Sequence, residues 1–257
     1  MRLRGLLYNF GLKLLYCFLC IGDWKKQTII YTAGDMKFAL RVNTSDKLIL
    51  LEVLKTGNYI GKNFIVETGD TVVDIGANIG VFSVLAAKKA FKGNVFVYEP
   101  NKENYKVLIK NKYLNKLNNL FVSNLAVTGR GGYIDFFISK LNDGAHSIYI
   151  TDSKNSTKVK SITLKDIFDM NNLKRINYLK IDAEGAEYDI LLKTPPEVIR
   201  KVDKIVLEYH DYLNHDHDYK DLKEYLEGNG FKVEMGKNFL IRKIFSMGMI
   251  KARRENF

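Results

Sequence analysis

The chain has 257 residues, and 46% of them are hydrophobic, which is enough for one large α/β domain with a small appendage. Its mean hydropathy of -0.16 and its 27% of charged residues exclude a polytopic membrane protein. The net charge of +11 suits nucleic acid, an anionic membrane surface or acidic substrates, and equally a solvated basic surface.

The N-terminal segment is mostly apolar from Gly5 to Ile21, with its polar residues on one stripe of a helix. It is short for a membrane-spanning helix, and no signal-peptide cleavage site follows it. We therefore predict an amphipathic helix over residues 3–21 that lies on a membrane or a partner, the alternative being a helix packed on its own domain. Cys17 and Cys20 lie in this segment, and we interpret them as buried or membrane-facing thiols of a reducing compartment. This favours a cytoplasmic protein attached peripherally to the inner face of the membrane.

A predicted hairpin over residues 28–42 and a predicted helix that ends near Gly57 complete an N-terminal extension, residues 1–60. The main α/β domain is predicted over residues 61–245, and a basic C-terminal tail over residues 246–257.

The most informative segment is the turn Asp74-Ile75-Gly76-Ala77-Asn78-Ile79-Gly80, which joins a β-branched strand to a helix. Strand, glycine turn and helix together form a nucleotide-type ligand site, where glycines let the backbone approach a ligand. The spacing is not that of a dinucleotide fingerprint, and Asp74 would repel a pyrophosphate but could pair with a cationic or amino group. Glu99 ends the next strand, about 20 residues further on, where an acid binds ribose hydroxyls. The two acids indicate S-adenosyl-L-methionine (SAM), which carries a sulfonium, an amino acid moiety and a ribose but no phosphate.

From residue 70 onward strands and helices alternate, which predicts a doubly wound, mainly parallel sheet with helices on both faces. The predicted helices cover residues 102–114, 164–170 and 218–227, and the predicted strands cover 119–123, 133–138, 178–181, 204–207, 231–235 and 239–244. Residues 139–158 are predicted to be a long polar loop, of the kind that often carries function. Ligands of such a sheet bind at the carboxyl ends of its strands.

Polar clusters follow three of these strands, and all should meet Asp74 and Glu99 at one edge of the sheet. They are Asn124-Leu125-Ala126-Val127, Asp182-Ala183-Glu184-Gly185-Ala186-Glu187 and Glu208-Tyr209-His210. So many acids at one edge of a basic chain indicate a general base or a metal site.

Each of these residues also has an ordinary structural explanation. Asp182 could cap a helix, Glu187 could sit in a first helical turn because of the dipole, and His210 could be a hydrogen-bonded edge residue. The His- and Asp-rich run over residues 214–218 resembles a metal tract, but a polar loop before a helix capped by Asp216 explains it better.

The chain resembles the FkbM-type SAM-dependent methyltransferases, of the class I Rossmann-like superfamily, from about Asp46 to Gly236. The motifs are the glycine turn, Tyr98-Glu99-Pro100-Asn101, Asn124-Leu125-Ala126-Val127, Leu179-Lys180-Ile181-Asp182-Ala183-Glu184-Gly185-Ala186-Glu187 and Leu207-Glu208-Tyr209-His210. The resemblance implies that Asp74, Gly76, Asn78 and Gly80 hold the cofactor, that Glu99 binds its ribose, that Asn124 and Ala126 border the adenine and that Asp182 faces the methyl group. It also implies a seven-stranded sheet whose last strand is antiparallel, and methyl transfer to an oxygen of a sugar, glycan or natural product.

A neutral hydroxyl is a poor nucleophile, so we expect a catalytic base among Asp182, Glu208 and His210. Alternatively, Asp182 and Glu208 could hold a divalent cation that lowers the pKa of the hydroxyl. The sequence does not decide between these two possibilities, and we assign no metal ligands from it.

Other classes of function fit the sequence less well. A nucleotide-sugar dehydrogenase or reductase would need a different glycine turn, and Tyr105 and Lys106 lack the spacing of its catalytic pair. An RNA-directed methyltransferase, or a non-catalytic RNA-binding module on the same scaffold, suits the net charge, but the acidic edge would repel phosphate. We therefore predict a small-molecule or glycan acceptor and no nucleic acid partner.

Overall fold

The computed structural model describes residues 28–61, 63–137, 156–213, 216–236 and 246–254. The strands in chain order are β1 (Thr28–Ala33), β2 (Met36–Arg41), β3 (Thr71–Ile75), β4 (Asn94–Tyr98), β5 (Leu120–Ser123), β6 (Ala126–Val127), β7 (Gly132–Phe137), β8 (Ser156–Ile162), β9 (Ile176–Ile181), β10 (Val202–His210), β11 (Phe231–Met235) and β12 (Met247–Arg254). The α-helices are α1 (Asp46–Lys55), α2 (Val81–Lys89), α3 (Lys102–Leu114), α4 (Leu164–Met170), α5 (Glu187–Leu192), α6 (Pro196–Ile199) and α7 (Tyr219–Gly228), and a 3₁₀ helix covers Asp211–Leu213.

The central sheet has seven strands in the order β5-β4-β3-β9-β10-β12-β11. Neighbours from β5 to β10 are parallel, and β12 is antiparallel to both of its neighbours. The predicted doubly wound α/β fold, with seven strands and an antiparallel last strand, is confirmed. Two small sheets accompany it, the hairpin β1-β2 and the three-stranded β6-β8-β7.

Both faces of the central sheet are buried, each under its own group of helices. Successive side chains of a strand point to opposite faces. Val73 and Leu207 therefore join a core formed with α4, α5 and α7. Val72 and Val206 join a second core with α1, α2, α3 and β2. Because both faces are packed, the carboxyl edge of the sheet is a rigid base for functional side chains.

The register of the parallel strands places the last residues of β5, β4, β3 and β9 in one row with Leu207 of β10. This row consists of Ser123, Tyr98, Ile75, Ile181 and Leu207. The residues that follow these five in the chain are Asn124, Glu99, Gly76, Asp182 and Glu208. The sheet thus brings together, at the edge where doubly wound folds bind ligands, residues that the sequence assigns to a site.

The C-terminal residues differ from the prediction. Met247–Arg254, predicted to be part of a basic tail, forms β12 between β10 and β11. Ile250 and Ala252 alternate with polar positions and are fully buried, as a strand of a two-layered core requires. Lys251, Arg253 and Arg254 make the segment look like a basic tail, so the short alternation of buried and polar positions is not recognised from the sequence. The predicted strand over residues 239–244 lies outside the described residues.

Three further predictions need comment. The strand β8 begins at Ser156, inside the stretch predicted to be a loop. Asp218, and not Asp216, caps α7, because its side chain accepts from the backbone N–H of Lys220. The predicted N-terminal helix, with both cysteines, lies outside the described residues. Among the residues that are described, no helix has the length and apolarity needed to cross a membrane.

Candidate active site

Tyr59 joins two carboxylates of adjacent strands at the centre of the candidate site: Asp182, directly after β9, and Glu208 of β10. Its hydroxyl donates a hydrogen bond shared between Asp182 Oδ2 at 2.9 Å and Glu208 Oε2 at 3.1 Å. Only 4% of Tyr59 is exposed, and burial, Asp182 and Glu208 together raise the pKa of Tyr59 well above its ordinary value. The phenol is therefore a protonated donor. It holds one oxygen of each carboxylate in place.

The segment that carries Tyr59 is tied down on both sides. The Tyr178 hydroxyl donates to the backbone carbonyl of Tyr59, and the Tyr59 ring packs edge-on against Phe82 with ring centroids 5.9 Å apart. The ammonium of Lys180 lies 5.3 Å from the centroid of the Tyr59 ring, within range of a cation–π interaction. Tyr59 is thus a fixed part of the site, although it precedes the central sheet in the chain.

His210 and Glu187 form a buried pair beside these carboxylates. The Nδ1 atom of His210 lies 3.0 Å from Glu187 Oε1, and its Nε2 atom lies 3.6 Å from Glu184 Oε2. Glu187, the first residue of α5, is fully buried, and its carboxylate also accepts from the backbone N–H groups of Ala183 and Gly185. Glu187 therefore anchors both the loop after β9 and the imidazole of His210, besides its favourable place in the first turn of α5.

The acids of this cluster hold protons more strongly than isolated side chains do. Burial opposes the charging of His210, but Glu184 and Glu187 outweigh burial and raise the pKa of His210 well above its ordinary value. Burial, with Asp182 and Glu208, raises the pKa of Glu184 to about 8 despite the opposing effect of His210. The pKa of Glu184, shifted toward neutrality, suits general acid–base chemistry, whereas the shift of His210 favours its charged form.

Lys180 is a buried cation shared by Asp74 and Asp182. The register places Lys180 on β9 beside Asp74 on β3. The Nζ atom of Lys180 lies 3.2 Å from Asp74 Oδ1 and 3.7 Å from Asp182 Oδ2, and it donates to the carbonyl of Gly76 at 2.8 Å. Burial opposes the charge of Lys180, but Asp74 and Asp182 prevail and raise the pKa of Lys180.

Asp74 is fully buried, and its other oxygen accepts from Ser83 Oγ at 2.5 Å. The sequence predicts that Asp74 pairs with a cationic group, and in the structure the cation beside it is Lys180. Its predicted contact with a cofactor stays a prediction, and any influence on a ligand would pass through Lys180 and Ser83.

The glycine turn is built for close packing within the protein. Gly76 and Gly80 have φ values of +71° and +81°, which favour glycine. A Cβ on Gly76 would lie 1.8 Å from the carbonyl oxygen of Asp182, and one on Gly80 would lie 2.7 Å from Leu108 Cγ. The collisions that glycine avoids here are therefore with the end of β9 and with α3, whereas the sequence suggested collisions with a ligand.

The turn also lacks the features of a phosphate cradle. The backbone N–H groups of residues 76–80 donate to the carbonyls of Tyr98 and Ala77, to the carboxylate of Glu99 and to the side chain of Asn78. Since each N–H group of this turn already has an acceptor in the protein, the turn cannot hold a pyrophosphate in the manner of a dinucleotide site. This argues against a dehydrogenase or reductase.

Glu99 stands at the end of β4 and connects three parts of the site. Its carboxylate accepts from the backbone N–H of Asn78 at 2.7 Å and from that of Asn101 at 2.8 Å. Burial raises the pKa of Glu99 to about 7, although these two N–H donors favour the carboxylate. The Asn124 side chain donates to the carbonyls of Glu99 and Pro100. A carboxylate has acceptor capacity beyond two hydrogen bonds, so Glu99 could also accept from ribose hydroxyls.

The structure brings three of the predicted site residues close together, and it places Ala126 in a neighbouring sheet. Asp182, Glu208 and His210 each bring one potential ligand atom to within 4.8 Å of the others. Asn124 meets the backbone around Glu99, whereas Ala126 is buried in β6 of the neighbouring small sheet. Tyr59 was not predicted, and its only sequence signal is an aromatic residue between Gly57 and Gly61 ahead of the first central strand.

The charge of the site fits a cationic ligand. Carboxylates of Glu99, Asp182, Glu184 and Glu208 line one edge of the sheet, while Lys180 is shared with the buried Asp74. A sulfonium and an ammonium, as SAM carries, are attracted to such an edge, and phosphate is repelled by it. The residues present thus fit SAM.

Comparisons with known proteins agree with this geometry. A family model described as the methyltransferase FkbM domain matches residues 74–233, more than half of the chain. "Methyltransferase 1" of Beauveria bassiana is 25% identical over 203 residues, covering 71% of this chain and 80% of its own. The hexuronic acid methyltransferase AglP of Haloferax volcanii is 25% identical over 172 residues, covering 66% of this chain and 67% of its own.

A solved structure supports the fold. The fibrillarin pre-rRNA processing protein of Methanococcus jannaschii superposes with a TM-score of 0.50 at 14% identity. The match covers 92% of this chain and 87% of the other. At this identity the similarity concerns the fold alone.

Proposed function

The chain belongs to the FkbM methyltransferase family, and we propose that it transfers the methyl group of SAM to a hydroxyl of a sugar or glycan. Membership of this family makes the chain a methyltransferase. The acceptor and the roles of the individual residues are proposals. The observation that carries the proposal is the pairing of Asp182, which follows β9, with Glu208 of the adjacent strand β10 through the Tyr59 hydroxyl. This arrangement suits the removal of a proton from a hydroxyl group.

The cofactor half of the site uses Glu99 and the glycine turn. When bound, SAM supplies a methyl group on a positively charged sulfur, whose bond electrons return to sulfur as the methyl leaves. The buried carboxylate of Glu99, oriented by the N–H groups of Asn78 and Asn101, would hold the ribose hydroxyls. Asn124 supports that position because it ties the end of β5 to the backbone of Glu99 and Pro100.

The acceptor half uses the acid cluster. Asp182 Oδ2 and Glu208 Oε2 are held side by side by Tyr59, so an acceptor hydroxyl placed between them would donate its proton to a carboxylate as its oxygen attacks. General-base assistance of this kind contributes roughly 10²–10⁴-fold to a rate. His210, fixed by Glu187, would stabilise the negative charge of the carboxylates, and the proton taken from the acceptor would stay on a carboxylate until the product leaves. A divalent cation held by Asp182 and Glu208 is the alternative way to activate the hydroxyl.

Two arguments favour a sugar over RNA. The acidic edge would repel the phosphates of a nucleic acid, whereas a sugar presents hydroxyl groups that carboxylates accept well. AglP, one of the similar proteins, carries the name of a hexuronic acid methyltransferase, and the match covers two thirds of each chain. The identity of 25% gives a class of acceptor to test and no particular sugar.

The test combines cofactor binding with an acceptor panel. Calorimetry of the purified chain should detect SAM binding, and radiolabelled SAM should label neutral sugar glycosides or hexuronic acid glycosides. Asp182→Asn should keep SAM affinity within a few-fold of the wild type and lower turnover roughly 10²-fold or more. Asp169→Asn is the matched control, because Asp169 is an exposed residue of α4 that pairs only with Lys165 among the ion pairs described. Labelling of an RNA oligonucleotide and of no sugar would contradict the proposal, and so would full turnover by Asp182→Asn.

A further inference from the structure

The side chains that surround the acceptor position also form a set of metal ligands. Asp182, Glu208 and His210 each offer one ligand atom, and these three atoms lie within 4.8 Å of one another. Asp182 follows β9, and the other two belong to β10, the adjacent strand of the rigid sheet. Glu208 and His210 are two residues apart on one strand, so their side chains leave it on the same face.

The imidazole of His210 is oriented as in many metal sites. Its Nδ1 atom lies 3.0 Å from Glu187 Oε1, and Glu187 is held in turn by two backbone N–H groups. In the neutral ring an N–H at Nδ1 donated to Glu187 leaves the lone pair on Nε2, so a metal that binds there displaces the proton that Nε2 carries in the imidazolium form. Metal-binding histidines almost always donate their second nitrogen in this way, which fixes the tautomer and the ring orientation before the ion arrives.

Three carboxylates, those of Asp182, Glu184 and Glu208, lie close together around His210 and the Tyr59 hydroxyl. One Tyr59 hydroxyl proton serves both Asp182 Oδ2 and Glu208 Oε2. The ammonium of Lys180 is closer to Asp74, at 3.2 Å, than to Asp182, at 3.7 Å. Glu184 adds a further carboxylate 3.6 Å from the Nε2 atom of His210. A dication between Asp182, Glu208 and His210 would reduce the repulsion among these acids.

We propose that Asp182, Glu208 and His210 bind a divalent metal ion of the Mn²⁺ or Zn²⁺ kind. Two carboxylates with one imidazole favour such ions over Mg²⁺ and Ca²⁺, which prefer sites made of oxygen alone. Three protein ligands leave coordination positions open, as in catalytic and unlike structural metal sites. An open position beside Tyr59 suits an acceptor oxygen. This last step rests on the proposed function, whereas the ion site itself does not.

The experiment measures metal binding without any acceptor or SAM. The full-length chain is stripped with EDTA and titrated with Mn²⁺, and the free ion is followed by electron paramagnetic resonance. We expect a single tight site in the wild type, weakened about tenfold or more in Glu208→Gln and in Asp182→Asn. His217→Gln is the matched control, because His217 is an exposed histidine whose Nδ1 atom lies 3.1 Å from Asp221 and which is not one of the three proposed ligands. We expect it to bind Mn²⁺ like the wild type.

Two further measurements make the result decisive. Circular dichroism and thermal unfolding of the stripped proteins show whether each variant is folded, and Mn²⁺ should raise the melting temperature of the wild type more than that of Glu208→Gln. His210→Gln should lose more affinity for Mn²⁺ than for Mg²⁺, because imidazole is the ligand that discriminates between them.

The inference is wrong if the stripped wild type binds Mn²⁺ no more tightly than folded Glu208→Gln does. Calorimetry with SAM on the same stripped sample separates this failure from that of the proposed function. SAM binding without Mn²⁺ binding would overturn the metal site alone, and the absence of SAM binding would overturn the proposed function.

Discussion

Replacing Tyr59 with phenylalanine removes one hydroxyl and leaves the ring that fills the core. The ring contacts with Phe82 and with the ammonium of Lys180 remain, and so does the backbone carbonyl that accepts from Tyr178. What is lost is the hydrogen bond shared by Asp182 Oδ2 and Glu208 Oε2. The substitution therefore tests whether those two oxygens need a donor to hold them in place.

The magnitude follows from the kind of bond that is removed. A hydrogen bond to a charged group contributes about 1.5–3 kcal/mol. If that energy orients the carboxylates in the transition state, turnover falls by about 10- to 100-fold, since about 1.4 kcal/mol corresponds to a factor of ten. The hydroxyl also favours the ionised carboxylates, so its loss raises their pKa values. The acidic limb of the pH–rate profile should then move to higher pH.

The assay is steady-state methyl transfer over a range of pH, with SAM affinity measured separately. Tyr225→Phe is the control, because its hydroxyl donates to the carbonyl of Thr194, away from the carboxyl edge of the sheet. Both variants lose one hydrogen-bonded tyrosine hydroxyl, but only Tyr59→Phe should slow turnover. Turnover by Tyr59→Phe within about twofold of the control, with an unshifted pH profile, would refute the positioning role.

Two other predictions concern the cofactor half of the site. Gly76→Ala should destabilise the fold by about 2–5 kcal/mol in urea unfolding, because its φ is positive and the new Cβ would meet the Asp182 carbonyl at 1.8 Å. Gly34→Ala, with φ +61° and open space around it, should cost only about 1–2 kcal/mol, and equal losses in the two variants would contradict the packing argument. The pKa of Glu99 is about 7, and ribose hydroxyls would favour its carboxylate, so SAM affinity in calorimetry should be full above that pH and fall below it, by at most about tenfold per pH unit. Glu99→Gln should bind SAM more weakly and with little dependence on pH; an unchanged pH dependence in this variant would remove Glu99 from the ribose site.

Sequence reasoning succeeded where short-range rules decide the structure. The β-branched strands, the glycine turn and the helix over residues 102–114 are local signals, and together they predict the parallel sheet and its carboxyl edge. The convergence of Glu99, Asp182 and Glu208 then follows from the rule that parallel strands end at one edge. Tyr59 obeys no such rule. It reaches the site because the segment before β3 folds back over the sheet, although Tyr59 and Asp182 are 123 positions apart in the chain.

The charge of β12 misled the sequence analysis for a related reason. Lysine and arginine dominate the composition of its last residues, but a strand needs only alternate positions to be buried, and Ile250 and Ala252 provide them. A composition averages over both faces of a strand, so it cannot distinguish a two-faced strand from a solvated tail when the segment is short.

For Asp74, the sequence motif is correct, but the explanation that its carboxylate pairs with a ligand is incomplete. The sequence treats its carboxylate as a partner for a cationic ligand, whereas the structure surrounds it with Ser83 and the ammonium of Lys180. That ammonium also donates to the Gly76 carbonyl and lies 3.7 Å from Asp182. One buried cation therefore links the glycine turn to the acid beside the acceptor. Without Asp74, the ammonium of Lys180 would shift toward Asp182. A substitution beside the glycine turn would therefore change the electrostatic environment of the acid that faces the acceptor, although it removes no contact of that acid.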